Sequence, residues 1–139
     1  MREGRRASMK YYKTISLALM LIFAATGIIF LAIPDKVMVF FNFLSSFISL
    51  QESPKTAWNF YLILAAGYMY LVTLLAFLMF KHPENRYFPQ LLTHAKLASA
   101  LLSLAFFLIH GHYLIYLANF IIDGAIGSGV LVLYLKMRK

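Results

Sequence analysis

Four long apolar stretches, separated by short polar segments, dominate the pattern of the chain. They cover residues 14–33, 58–80, 91–109 and 113–135. A helix of about 20 apolar residues can cross the hydrocarbon core of a bilayer, so each stretch is long enough to span it. The pattern predicts four transmembrane helices, and we expect Pro34 to end the first because proline does not continue a helix.

A fifth apolar stretch, residues 37–50, is too short to span a bilayer. Its polar residues recur at the spacing i, i+3, i+4 and i+7, which places them on one stripe of a helix. They are Asn42, Ser45, Ser46 and Ser49. The spacing predicts an amphipathic helix that lies on the membrane surface or folds back over the bundle, either as a lid or as an anchor. We therefore predict an all-α fold: a four-helix membrane bundle with one extra short amphipathic helix, in a single domain over residues 1–139.

Composition and charge support the membrane interpretation. The chain is 62% hydrophobic and 13% charged, whereas soluble domains are nearer half and a quarter. A net charge of +8 would favour nucleic acid in a soluble protein, but here Lys and Arg flank the apolar stretches. The N-terminal segment, the 81–89 loop and the C-terminal tail carry five, two and three of them. By the positive-inside rule we expect both termini in the cytoplasm, in a multi-pass protein of the inner membrane. The expected partners are the lipid bilayer and a membrane protein or second copy, with no nucleic acid.

The residue types that usually bind metals or catalyse reactions exclude several classes of site in this sequence. There are no cysteines, which rules out disulfides, thiol catalysis, iron–sulfur clusters and cysteine-based zinc sites. His110 and His112 form only a two-ligand fragment, and His94 shares its span with His110, so facing haem ligands are not expected. No phosphate-binding loop or nucleophile–base arrangement occurs. We expect no metal, no cofactor and no enzymatic activity.

Asp123 stands near the middle of the fourth apolar stretch. An acid at membrane depth is costly and marks a functional-site hypothesis. The third and fourth spans should form a tight hairpin at Gly111, and counting from that turn places Asp123 opposite residues 99–100. A phenol at mid-depth also needs a hydrogen-bond partner, so at least one tyrosine of span two should face inward. The candidate site therefore comprises the polar groups expected near this plane, which are Asp123, Asn119, Tyr68, Tyr70, Ser99, Ser103 and Lys96.

Lys96 is a candidate partner for Asp123, but counting places it about four residues, or roughly 6 Å, from the level of the acid. Helical side chains lean toward the helix N-terminus, so in an antiparallel hairpin the two groups should lean apart. We therefore expect Lys96 to snorkel to the inner headgroups, with the ion pair as the alternative. An unpaired Asp123 would tend to stay protonated, because burial disfavours the charged form. It would then be either a protonatable site or a neutral hydrogen-bond clamp between helices.

The plan of the chain resembles a known group. A short first span, the amphipathic segment PDKVMVFFNFLSSFISL and three closely connected spans resemble the DoxX-like small four-span bacterial membrane proteins. The resemblance covers most of the chain but lies in architecture, so it transfers no functional residue. Small multidrug transporters have a similar length and span number. They use a glutamate embedded in span one, whereas this chain has no acid there.

Three hypotheses about function follow. The first is a non-enzymatic accessory or scaffold protein, or one that binds a lipid-like small molecule between its helices. The alternative is a proton-linked small-molecule or ion transporter that uses Asp123. The third is a membrane enzyme acting on a lipid or quinone with Tyr68, Tyr70 and Asp123, although no reactive pair is evident.

Overall fold

The computed structural model describes the backbone of residues 2–53 and 58–138 and the side chains of residues 8–53 and 61–136. These residues confirm the all-α prediction. Within these ranges, four helices are long and apolar enough to cross a membrane, and their spans cover Ser8–Ala32, Tyr61–Lys81, Tyr87–Ile109 and Leu114–Lys136. The helices that the described residues form are α1 (Arg2–Ala32), α2 (Pro34–Phe47), α3 (Trp58–Lys81), α4 (Tyr87–Ile109) and α5 (Leu114–Arg138). The architecture is that of a multi-pass membrane protein.

The spanning helices pack as two pairs. Helix α1 lies along α3, and α4 lies along α5, while fewer contacts join α3 to α4 and α1 to α5. The buried core between the pairs is apolar and comprises Tyr12, Phe23, Val72, Leu75, Ala76, Met79, Leu92 and Val130. Large apolar side chains such as Ile63, Leu101 and Ile121 are more than half exposed on the outer surface. Exposed apolar area on this scale is typical of a surface that contacts lipid rather than water.

The turn between α4 and α5 depends on a glycine. Gly111 has φ +151°, a conformation that side chains with a Cβ rarely adopt. A Cβ placed on it would lie 2.9 Å from the ring of Tyr113. The Tyr113 N–H donates to the Gly111 carbonyl at 2.8 Å, which closes the turn. The predicted hairpin at this position is therefore confirmed.

Helix boundaries differ from the prediction at two prolines. Pro34 ends α1, as expected, but it also begins α2 three residues before the predicted start at residue 37. Proline suits this first helical position because its fixed φ is already helical and its missing N–H has no partner there. Pro89 was assigned to a loop, yet α4 begins at Tyr87 and includes it. The first turn of a helix tolerates proline for the same reason.

Helix α2 also ends earlier than predicted, at Phe47 instead of residue 50. Ser49 has φ +53°, and the Leu50 N–H donates to the Ser45 carbonyl at 3.1 Å. This is the pattern of a Schellman motif, in which a residue in the left-handed conformation terminates the helix. Ser49 is therefore not on the polar stripe of the helix.

The polar stripe of α2 faces the protein at Asn42 and Ser45, while Ser46 is exposed. Asn42 and Ser45 are buried, whereas Phe40, Phe43 and Phe47 are more than half exposed. The Asn42 side chain accepts from the Ser53 N–H at 2.9 Å and donates to the Ser53 carbonyl at 3.1 Å. Because α2 also contacts α1 and α5, it folds back over the bundle, with its aromatic face outward. Asn42 thus satisfies the backbone that follows α2, while the Ser45 hydroxyl donates to the Phe41 carbonyl of its own helix.

Candidate functional site

Lys96 of α4 and Asp123 of α5 form a buried ion pair. Lys96 Nζ lies 2.8 Å from Asp123 Oδ1, and the two side chains are 3% and 6% exposed. The expectation that Lys96 snorkels and leaves Asp123 isolated is therefore wrong, and the alternative of a pair is correct. A buried charge pair of this kind is stable only when both partners are present, because removal of one leaves an uncompensated charge.

The reason for this error lies in the length of the lysine side chain. Gly124 lies opposite Ala100 and Gly127 opposite Leu97, so Lys96 starts about five residues, or roughly 7 Å, from the level of Asp123. The helix fixes only the direction in which the first side-chain bond leans. The three methylenes beyond Cβ carry the ammonium across the interface to the carboxylate. Counting residues gives the level of the Lys96 Cα and the direction of its first side-chain bond, but not how far the ammonium extends from that Cα.

Two aromatic rings complete the surroundings of the ammonium. Lys96 Nζ lies 4.5 Å from the ring centroid of Phe23 in α1 and 5.1 Å from that of Tyr68 in α3. Both distances are within the range of a cation–π interaction. All four spanning helices of the described chain thus meet at this ammonium. Phe23, which is 2% exposed, was missed by the sequence analysis because an apolar ring in an apolar span carries no distinguishing signal.

A second polar cluster lies beside the ion pair. Asn119 Nδ2 donates to Ser99 Oγ at 3.1 Å and to Ser103 Oγ at 2.7 Å. Counting from the hairpin turn placed these residues near one another, and the structure brings them together. These bonds cross from α5 to α4 and hold the two helices by side chains at mid-span.

The two mid-span tyrosines have different surroundings. The Tyr68 hydroxyl donates to the Ala95 carbonyl at 3.1 Å, which links α3 to α4. Tyr70 is 70% exposed on the outer face of α3 and does not join the ion pair. The expectation that at least one of them faces inward is confirmed, but the inclusion of Tyr70 in the central site is wrong. Two residues apart on a helix, they point to different faces.

Gly124 and Gly127, which follow Asp123, allow close packing of α5 against α4. A Cβ added to Gly127 would lie 3.0 Å from Leu97 Cγ and 3.3 Å from the Leu97 nitrogen. A Cβ on Gly124 would make ordinary contact with Ala100 at 3.8 Å. On this side of α5, Gly124 and Gly127 therefore serve close packing against α4.

A groove of about 290 Å³ lies between α1 and α3. Its rim includes Ile28 and Tyr70, which are 66% and 70% exposed, and its floor includes the buried Phe23. Phe23 thus belongs both to the groove and to the surroundings of the Lys96 ammonium. The other side chains and backbone that line it are almost all apolar and belong to Ala24, Gly27, Leu31, Ala66, Met69 and Thr73.

The histidines lie apart from this site. His110 stacks on Phe106 at 4.6 Å between ring centroids, and His112 packs edge-on against Phe107 at 4.9 Å. Over the residues whose positions are described, no three His, Asp or Glu side chains are grouped so as to hold a metal ion. The arrangement thus combines a paired charge, two rings and an apolar groove.

No protein-family model, no curated protein and no solved structure matches this chain. The fold and the site define it as a helical membrane bundle with a buried ion pair at its centre.

Proposed function

We propose that this chain is a non-enzymatic integral membrane protein that binds a lipid-like small molecule in the groove between α1 and α3. The groove is the observation that carries the proposal. Its volume of about 290 Å³ is near the lower end of small-molecule sites, which start at roughly 300 Å³. Its lining is almost entirely apolar and its rim lies on the outer, lipid-facing surface. An acyl or other alkyl chain fits both properties.

The proposal also states how the chain is oriented in the membrane and which membrane contains it. The basic segments that begin and end the chain and join α3 to α4 support cytoplasmic termini, because Lys and Arg are retained on that side. An inner-membrane location in a bacterial cell, and membership of the DoxX-like group, are supported by the order of one span, one amphipathic helix and three further spans. Cysteine substituted at exposed positions of the loop between α3 and α4, such as Glu84, should be labelled by an impermeant thiol reagent only after the membrane is opened.

Photo-crosslinking from the lipid phase tests the groove. The full chain is reconstituted with a phospholipid whose acyl chain carries a diazirine, and labelled peptides are located by mass spectrometry. We expect labelling to be concentrated on groove residues such as Met69 and Thr73. Ala66→Phe should reduce this labelling several-fold because Ala66 lines the groove. Ala65→Phe is the matched control, since Ala65 is exposed on the same helix but is not part of the lining.

Uniform labelling of all outer faces, or equal labelling in both variants, would contradict the groove proposal. In that case an accessory or scaffold role, with a membrane protein partner or a second copy, becomes the better function. Co-purification of such a partner would then identify it.

The buried ion pair favours a second candidate, a proton-linked small-molecule or ion transporter that uses Asp123. Charged residues inside a membrane protein often mark ion pathways, and this pair lies where all four described spans meet. Proton flux per folded protein in proteoliposomes, followed with an internal pH dye, should be lost in Asp123→Asn, and the folded fraction is measured alongside because this variant leaves Lys96 buried without its partner. Unchanged flux in this variant would exclude the candidate.

A further inference from the structure

The surroundings of the Lys96 ammonium have the composition of a site for an organic cation. Asp123 supplies a carboxylate at 2.8 Å, and Phe23 and Tyr68 present ring faces at 4.5 and 5.1 Å. Aromatic faces carry negative electrostatic potential, so they attract an ammonium and repel an anion. Apart from the lysine itself, these three groups all favour positive charge.

We propose that Asp123, Phe23 and Tyr68 form a binding site for a lipophilic amine, and that Lys96 fills this site as a tethered cation when no ligand is bound. The proposal rests on the proposed function, because the α1–α3 groove supplies the place for the apolar tail. Phe23 lies at the junction, since it lines the groove and also contacts the ammonium. The ligand class is therefore an alkyl amine whose ammonium replaces Lys96 Nζ and whose chain occupies the groove.

When a ligand displaces it, the Lys96 ammonium can reach the headgroup region of the membrane. Its side-chain root leans toward the N-terminal end of α4, and the basic segments of the chain lie at that end of the bundle. A lysine at this depth can extend its methylenes along apolar surface and place its ammonium among headgroups. The snorkelling conformation expected from the sequence is thus the displaced conformation, and the ion pair is the ligand-free one.

The test uses two probes of equal chain length, dodecylammonium and the neutral dodecanol, added to the full-length protein in lipid nanodiscs. Lys96→Met removes the tethered cation and keeps the volume. We expect this variant to bind dodecylammonium at least tenfold more tightly than the wild type and to bind dodecanol with unchanged affinity. Lys36→Met is the control variant, because Lys36 is exposed in α2, away from the site. It should behave as the wild type with both probes.

The double variant Lys96→Met/Asp123→Asn removes the carboxylate as well. It should lose most of the preference for the amine and keep only the weaker attraction of the two rings. A preference for dodecylammonium as large in the double variant as in Lys96→Met would overturn the proposal, as would the absence of any preference in Lys96→Met.

Lys96→Met leaves Asp123 without its partner, so we expect this variant to be only partly folded without ligand, which gives a second readout. Dodecylammonium should raise its thermal unfolding temperature and dodecanol should not. A failure of the amine to stabilise it would overturn the proposal. If both probes bind every variant equally but are excluded by Ala66→Phe, the groove proposal stands and the cation site fails. If Ala66→Phe changes nothing, the groove proposal fails as well.

Discussion

The α4–α5 pair and the α1–α3 pair hold together by different means. Between α4 and α5, the Lys96–Asp123 pair and the bonds from Asn119 to two serines cross the interface at mid-span. Between α1 and α3 the contact is apolar, with Gly27 close to Met69 and Phe23 and Val72 in the shared core. Ser16 of α1 and Thr73 of α3 bond within their own helices, Ser16 to the Tyr12 carbonyl and Thr73 to the Met69 carbonyl.

This difference follows from the solvent. Lipid tails are as apolar as the helix surfaces, so burial of apolar area against a neighbouring helix brings little gain inside a bilayer. Association there depends on close van der Waals contact and on hydrogen bonds between helices. The α4–α5 pair uses both, while the described core contacts between α1 and α3 are apolar and a groove remains beside Gly27. A ligand chain is more easily accommodated in the second interface than in the first.

Variants of the ion pair should have the largest effect on stability and should weaken the polar α4–α5 pair. Removing one partner, in Lys96→Met or Asp123→Asn, should destabilise the fold by about 3–5 kcal/mol, because the other charge stays buried without compensation. The double variant should cost much less than the sum of the two single variants. Unfolding in bicelles, followed for all three variants and the wild type, measures this coupling.

The charge variants Lys36→Met and Glu52→Gln alter exposed groups and should stay near the wild-type stability. Additive effects in the Lys96 and Asp123 cycle would contradict the view that the two side chains stabilise the hairpin as a pair.

Glycine packing between α4 and α5 should give the next largest effect. Gly127→Ala places a Cβ about 3.0 Å from Leu97 Cγ and near the Leu97 backbone nitrogen, so α4 and α5 must separate slightly. We expect a loss of about 1–2 kcal/mol, as is usual for an overpacked interior. Gly129→Ala is the control because a Cβ there meets nothing within 4 Å. It should be neutral or stabilising, and an equal loss in both variants would contradict the packing argument.

Variants of the two mid-span tyrosines should have the smallest effect on stability. They compare the inner face of α3, which carries Tyr68, with its outer face, which carries Tyr70. Tyr68→Phe removes the hydrogen bond to the Ala95 carbonyl that links the apolar pair to the polar pair. The expected loss in the free energy of unfolding is about 0.5–1.5 kcal/mol. Tyr70→Phe alters an exposed phenol and should stay within about 0.5 kcal/mol of the wild type. A larger effect for Tyr70 than for Tyr68 would reverse this assignment.

Counting residues from a turn was reliable where the chain is locally constrained. The Gly111 turn fixes the register of α4 and α5, so Asn119 could be placed near Ser99 and Ser103 from the sequence. The same counting failed for Lys96, because a flexible side chain can reach beyond the level of its own Cα. It also gave no information on Phe23, whose role depends on a helix distant in sequence.

The stripe of α2 shows a related limit. Periodicity correctly predicted a short helix with Asn42, Ser45 and Ser46 on it, but it wrongly included Ser49 and did not indicate which way the stripe faces. Asn42 is buried because it satisfies the backbone at Ser53, a partner that no periodicity identifies. In the same way, small residues after Asp123 are compatible either with close packing of α5 against α4 or with space for a ligand. The contact of Gly127 with Leu97 shows that α5 packs closely against α4 there.

The sequence by itself determined the number of spans, the extra helix, the tight turn and the depth of the embedded acid. Each of these depends on hydrophobicity and local geometry, which are encoded within one segment of the chain. Only the tertiary structure decided that Lys96 meets Asp123, that Phe23 and Tyr68 cover the ammonium and that a groove remains between α1 and α3. These features depend on how helices distant in sequence rotate and pack against one another, because a side chain finds its partner across an interface and not along its own helix.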